Sequence, residues 1–196
     1  MLKKGDDLTA LLKNINGDLI KSFSGYEDHV RDVCFSKEAD TLLTVGKDKQ
    51  AILWDQDGNQ ILSVMDEARL RQASYSPTGK YFATANKDLE IVIWKLDGKE
   101  ESRFKAHEDK ITSLEFSSDG ESILSTSADG TAKIWSIHGD LLSKIEAYEK
   151  YIFFGCFSPD NKTILLGGKD NTAKIYDWKG NQIQSFEGHT SYIISA

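Results

Sequence analysis

The feature that most restricts this chain is a repeat. An aromatic residue closing a short apolar run recurs at Trp54, Trp94, Trp135 and Tyr176, at spacings of 40, 41 and 41 residues. A glycine follows each at a fixed offset, at Gly58, Gly98, Gly139 and Gly180, and one period earlier stands Gly17. An aspartate stands six residues before each aromatic: Asp48, Asp88, Asp129 and Asp170. Three markers in one register mean that a single supersecondary unit is copied along the chain. A unit this short buries its apolar face only by stacking on its neighbours.

Within a period, four segments read as strands. The third repeat has Glu101–Phe104, then Ile111–Phe116, Ser122–Thr126 and Thr131–Trp135, separated by polar links and the turns at Ser117–Gly120 and Ala128–Gly130. These runs have strand length and β-rich composition, with turns about every ten residues. No segment keeps a helical period over the 10–12 residues that would favour a helix. The expected fold is therefore all-β, built of antiparallel four-stranded units.

The period, the Trp54-Asp55 dipeptide, Gly188-His189 and the turns at Ser158-Pro159-Asp160 and Ser118-Asp119-Gly120 together resemble the WD-repeat family. The resemblance implies a β-propeller with four-stranded blades around a central channel. The implied layout is a partial blade at 1–24 (third and outer strands), blades at 25–64, 65–105, 106–146 and 147–187, and the start of a further truncated blade at 188–196. In that layout Asp7 takes the Asp48 position. Pairing the two end pieces would leave a blade without its second strand, so an open arc is expected, able to self-associate through free sheet edges.

The resemblance also implies a buried His–Ser/Thr–Asp–Trp network stapling each blade. The set is complete only as His107, Ser125, Asp129 and Trp135. The first repeat offers Tyr26, Thr44, Asp48 and Trp54; the second, Asp66, Thr84, Asp88 and Trp94; the fourth, Tyr148, Leu166, Asp170 and Tyr176. His189 falls in the same slot as His107. Aspartates recurring in equivalent places of separate blades buttress turns, whereas a catalytic carboxylate pair needs two different roles at one site.

Other chemistry is sparse. Gly167-Gly168-Lys169 lacks the Ser or Thr and the earlier glycine of a phosphate loop, and no Gly-x-Ser-x-Gly elbow occurs. Cys34 and Cys156 hold equivalent strand positions and are expected to pack. No histidine pair has metal-ligand spacing. The reading is a non-enzyme with no cofactor and no metal. No apolar run approaches a membrane span and no secretory signal is visible, so a cytoplasmic location is expected.

The net charge of −7 argues against bulk attraction to nucleic acid or anionic lipid. One distribution of charge runs the other way. In the family, three positions per blade point to a common partner-binding face. Here they are His29, Arg31, Lys47; Arg69, Arg71, Lys87; Lys110, Thr112, Ala128; and Tyr151, Phe153, Lys169. Seven of these twelve are Lys or Arg and none is acidic, in a chain with 31 acidic and 24 basic residues. A basic face for an acidic or phosphorylated protein segment is expected, with Tyr151, Phe153 and Tyr192 as anchors. Two alternatives remain. The first is a sensor or autoinhibitory module of a larger signalling protein, since the short Asp-Gly or Asn-Gly links resemble arrays attached to bacterial signalling ATPases and kinases. The second is nucleic-acid binding.

Overall fold

The computed structural model describes residues 2–4, 8–38 and 40–195. They form nineteen strands and no helix. The first sheet has three strands in chain order, β1 (Leu2–Lys4), β2 (Thr9–Lys13) and β3 (Leu19–Ser24). Four sheets of four strands follow. Blade 1 is β4 (Val30–Phe35), β5 (Thr41–Gly46), β6 (Gln50–Asp55) and β7 (Gln60–Met65); blade 2 is β8 (Leu70–Tyr75), β9 (Tyr81–Asn86), β10 (Glu90–Lys95) and β11 (Glu100–Lys105). Blade 3 is β12 (Ile111–Phe116), β13 (Ser122–Ser127), β14 (Thr131–Ser136) and β15 (Leu141–Glu146); blade 4 is β16 (Ile152–Phe157), β17 (Thr163–Gly168), β18 (Ala173–Asp177) and β19 (Gln182–Phe186).

Each blade is an antiparallel meander, and each repeats the same irregularities. The register shifts near the start of the first strand, between Val30 and Asp32, Leu70 and Gln72, Ile111 and Ser113, and Ile152 and Phe154. A second shift falls at the aromatic that closes the third strand, beside Trp54, Trp94, Trp135 and Tyr176. Such bulges sharpen strand twist, so every blade leaves its innermost strand with the same re-aimed edge.

Packing between blades follows from the period-2 alternation of a strand buried on both faces. In β10, Ile91 and Ile93 join a cluster with Ile111, Phe116, Ile123 and Trp135 of blade 3. Val92 and Trp94 face the other way, onto Leu43, Val45 and Leu53 of blade 1. Blade 3 repeats this with Ile134 and Leu124 against Ile152, Ile164 and Tyr176 of blade 4. Stability is thus shared across interfaces rather than held inside a blade. The sheets stand side by side in chain order and do not close into a ring.

The ends differ from expectation in two ways. Residues 2–4 pair with β2, Leu2 opposite Leu12 and Lys4 opposite Ala10, so the place of the second strand in the first sheet is filled. Residues 187–195 form no strand; Ile193 is buried, against Gly167. The Asp7 position lies outside the described residues.

Candidate functional site

The staples hold the loops that shape the candidate face. In blade 3, Trp135 Nε1 donates to Ser125 Oγ at 2.9 Å, Ser125 Oγ meets His107 Nε2 at 2.8 Å, and His107 Nδ1 meets Asp129 Oδ2 at 3.0 Å. Burial pushes the His107 pKa down against the pull of Asp129, which keeps the ring neutral. With Nδ1–H donating to the carboxylate, Nε2 is left to accept from the serine. A one-way chain results, tryptophan to serine to histidine to aspartate. Burial alone would raise the Asp129 carboxyl, but hydrogen bonds from His107 and Thr131 outweigh it and hold it far below the usual carboxylate range.

The other blades solve the same slot differently. In blade 1 the Tyr26 hydroxyl bonds Thr44 Oγ1, which also accepts from Trp54 Nε1 at 2.6 Å, while Asp48 takes the Glu27 amide at 2.8 Å. In blade 2 Trp94 still donates to Thr84 at 3.0 Å, but the slot holds buried Asp66. Its Oδ1 accepts from Asn86 at 3.2 Å and from Arg103 at 3.3 Å, and Arg103 also grips Glu90 at 3.1 Å and Glu100 at 2.6 Å. Asp88, expected in this network, is exposed, and its carboxylate has no partner among the described residues. Two positions on, Glu90 instead accepts from Asn86 at 3.0 Å and from Arg103 at 3.1 Å. In blade 4 the Tyr148 hydroxyl lies 3.0 Å from the Leu166 carbonyl and 3.1 Å from that of Thr172. Asp170 instead takes Thr172 and, at 3.0 Å, Lys174. Tyr176 reaches Ala147 O at 3.4 Å and Gln182 at 3.2 Å. His189, expected in the structural slot, is exposed and unpartnered among the described residues, because no serine, aspartate or tryptophan stands opposite it.

A second signal hid in the repeat. Two residues before the turn aspartate stand Gly46, Asn86, Ser127 and Gly168. Glycine occurs in the two blades with tyrosine in the slot, and a side-chain carbon at Gly46 or Gly168 would collide with the Tyr26 or Tyr148 ring. The Gly-Gly pair that mimics a phosphate loop is therefore a packing device: Gly168 admits Tyr148, and Gly167 admits Ile193.

Arg31, Lys47, Arg69, Arg71 and Lys87 converge around Leu70 in a cleft of about 90 Å³ with no acidic residue in its lining. None of these five cations makes an ion pair among the described residues. On the far side of blade 3, Tyr151 and Phe153 stack at 5.8 Å, and Phe153 and Tyr192 at 5.6 Å, each pair tilted by 26°. The Lys169 ammonium lies 5.4 Å from the Tyr151 ring centre and 6.0 Å from that of Tyr192. Between them blade 3 offers one exposed cation, Lys110. Thr112 is spent on Thr126 and on the Ile152 carbonyl at 2.6 Å, and Ala128 is buried.

Two expected members stand apart from the cleft. His29 is exposed and turns to Asp28, 2.8 Å away, and Lys110 is exposed outside the lining. No feature of the sequence announced a mixed-charge trough of about 1050 Å³ beside the aromatic stack, lined by Glu146, Glu149, Lys150, Lys169, Asp170 and Lys174 among others. Its walls mix strand and link residues; Glu149, Asp170 and Lys174 repeat Glu108, Asp129 and Lys133 one period on, but the repeat does not show that they enclose one space.

Comparison with known proteins bears on the whole arrangement. The family described as "WD domain, G-beta repeat" matches residues 17–55, 98–136 and 139–177, more than half of the chain. Blade 2, with its charged staple, lies largely between the matched stretches. The chain is also 26% identical over 80 residues to a subunit of chromatin assembly factor 1 from Gallus gallus, and 25% identical over 80 residues to the same subunit from Mus musculus. Each match covers 40% of this chain and 14% of the relative.

Proposed function

Because this chain belongs to the WD-repeat family, we propose that it is a non-catalytic docking platform whose basic face receives an acidic or phosphorylated segment of a partner protein. The observation that carries this reading is the cleft between blades 1 and 2. Five cations from four separate loops and strands share one small space without a carboxylate among them. Like charges held together repel, and an arrangement of this kind is stabilised when an anion enters. Opposite charges near a protein surface attract by roughly 4 kcal/mol at contact before desolvation is subtracted. Arginines add forked, charge-assisted hydrogen bonds to carboxylate or phosphate. The rest of the molecule, with its net charge of −7, repels the same ligand, so binding is confined to the cleft. The named relatives are subunits of an assembly factor, which fits a docking role.

The test is charge reversal. Arg69→Glu with Arg71→Glu should abolish binding of a labelled glutamate-rich or phosphoserine peptide and leave the circular-dichroism spectrum and urea midpoint near those of the parent. Binding that survives reversal would remove the cleft from the function. A preference for DNA with a steep loss of affinity in salt would favour the nucleic-acid alternative.

A further inference from the structure

The twelve face positions are related by the repeat, and this makes one contrast informative. Arg69, Arg71 and Lys87 of blade 2 correspond, two repeats on, to Tyr151, Phe153 and Lys169 of blade 4. Tyr192 corresponds to Tyr151 one repeat further. The same backbone positions therefore present cations on one side of blade 3 and a row of rings on the other. Tyr151 is 37% exposed and Tyr192 51%. Rings left this open on a surface mark a contact site.

We propose that the face is bipartite and reads a single extended peptide that carries an acidic or phosphorylated residue and, further along, an aromatic one. This rests on the docking reading above and adds the second determinant. The cleft of about 90 Å³ has room for about three water molecules, which suits one anionic group and not a folded element. The rings of Tyr151, Phe153 and Tyr192 already form a stack, and an incoming ring extends it. A cationic ligand is disfavoured there, because the Lys169 ammonium already sits over two of the rings. Sheets packed face to face are roughly 10 Å apart, so the two halves are separated by roughly 20 Å. An extended chain covers that in about six residues. Blade 3 puts a single exposed lysine, Lys110, between the two halves, so the linking residues pass over it with little selection. A nucleic-acid strand fits less well. It needs cations unopposed along its whole track, and here the three lysines of the trough beside the rings are matched by Glu146, Glu149 and Asp170.

The experiment uses fluorescence anisotropy with the full chain and synthetic peptides. One peptide carries three glutamates alone; the others add a tryptophan after Gly-Ser spacers of about two, six or twelve residues, lengths set by the extended-chain estimate. The six-residue spacer should bind at least tenfold more tightly than the glutamates alone, and the two-residue spacer should gain nothing. Tyr192→Ala and Tyr151→Ala should each reduce the bipartite peptide toward the affinity of the plain one and leave the plain one unchanged. Arg69→Glu with Arg71→Glu should remove both. Equal affinity for plain and bipartite peptides, or an equal loss for both in the tyrosine variants, overturns the bipartite proposal while the docking reading stands. Failure of every peptide to bind the parent chain overturns the docking reading itself. A single-stranded thymidine oligomer that binds more tightly than any peptide, and is lost in both kinds of variant, would mean the rings stack bases.

Discussion

Blades 2 and 3 are neighbours built on one backbone plan, with the same tryptophan and hydroxyl pairing, yet they fill the central slot in opposite ways. Blade 3 uses a neutral ring that donates on one side and accepts on the other, so every buried atom of the chain from Trp135 to Asp129 is satisfied. Blade 2 uses a carboxylate. Asp66 draws Arg103 from the outermost strand and Asn86 from the second, and its Oδ2 is still buried without a partner. The turn beyond it differs as well. Gly130 takes a left-handed φ of 85° without strain, whereas Leu89 is held at 69° with a side-chain carbon in the way. Blade 3 is locally self-consistent. Blade 2 depends on distant charge, and its apolar interfaces with both neighbours carry it.

That contrast can be broken most sharply at Arg103. Arg103→Met leaves Asp66 buried with its cation gone, which should cost about 3–5 kcal/mol in urea unfolding. A loss below about 1 kcal/mol on the same scale would mean the arginine is ornamental. The matching cut in blade 3, Asp129→Ala, orphans the His107 ring and the Glu108 amide and should cost about 2–3 kcal/mol. Asp88→Ala at the equivalent place should change stability by no more than about 0.5 kcal/mol. Equal losses at Asp129 and Asp88 would mean that Asp88 takes part in the network despite its exposure.

Acid should probe blade 3 in particular. The folded pKa of His107 is lowered, so the unfolded chain takes the proton first, and stability falls as pH drops below about 6.5. Asp129 is also depressed; its contribution is present above the ordinary carboxylate range and is lost as pH falls from that range toward its far lower folded pKa. Both act in the same direction. The urea midpoint should decline between neutral pH and about pH 5, and His107→Gln should flatten that segment of the profile. An unchanged slope in the variant would assign the decline elsewhere. The smallest effect belongs to the turn: Leu89→Asn should stabilise by about 1 kcal/mol, by relieving the left-handed strain, read as a raised denaturant midpoint. A destabilisation would show that the Leu89 side chain packs usefully.

The slot and its neighbour show how far the repeat could be read in advance. Tyr26 with Gly46 and Tyr148 with Gly168 are visible as a pair of substitutions once the repeats are aligned, because a large ring and an absent side chain must change together. The rescue of Asp66 by Arg103 was not legible. The two are 37 residues apart, and nothing in either segment's own pattern marks the arginine as the partner.

Strand lengths, the aromatic and glycine register and the all-β class were set by the sequence itself. They arise from local alternation and turn chemistry, and a copied unit repeats its own solution. The candidate face positions came from the family resemblance, carried onto each repeat by the same register. The tertiary structure alone decided which of those positions meet. Arg31 and Lys47 of blade 1 come together with Arg69, Arg71 and Lys87 of blade 2 because the innermost strands of adjacent blades, β4 and β8, pack side by side. His29 is drawn aside by Asp28, and Thr112 by a neighbour's carbonyl. Convergence is a property of how blades pack, and packing depends on partners far away in the chain.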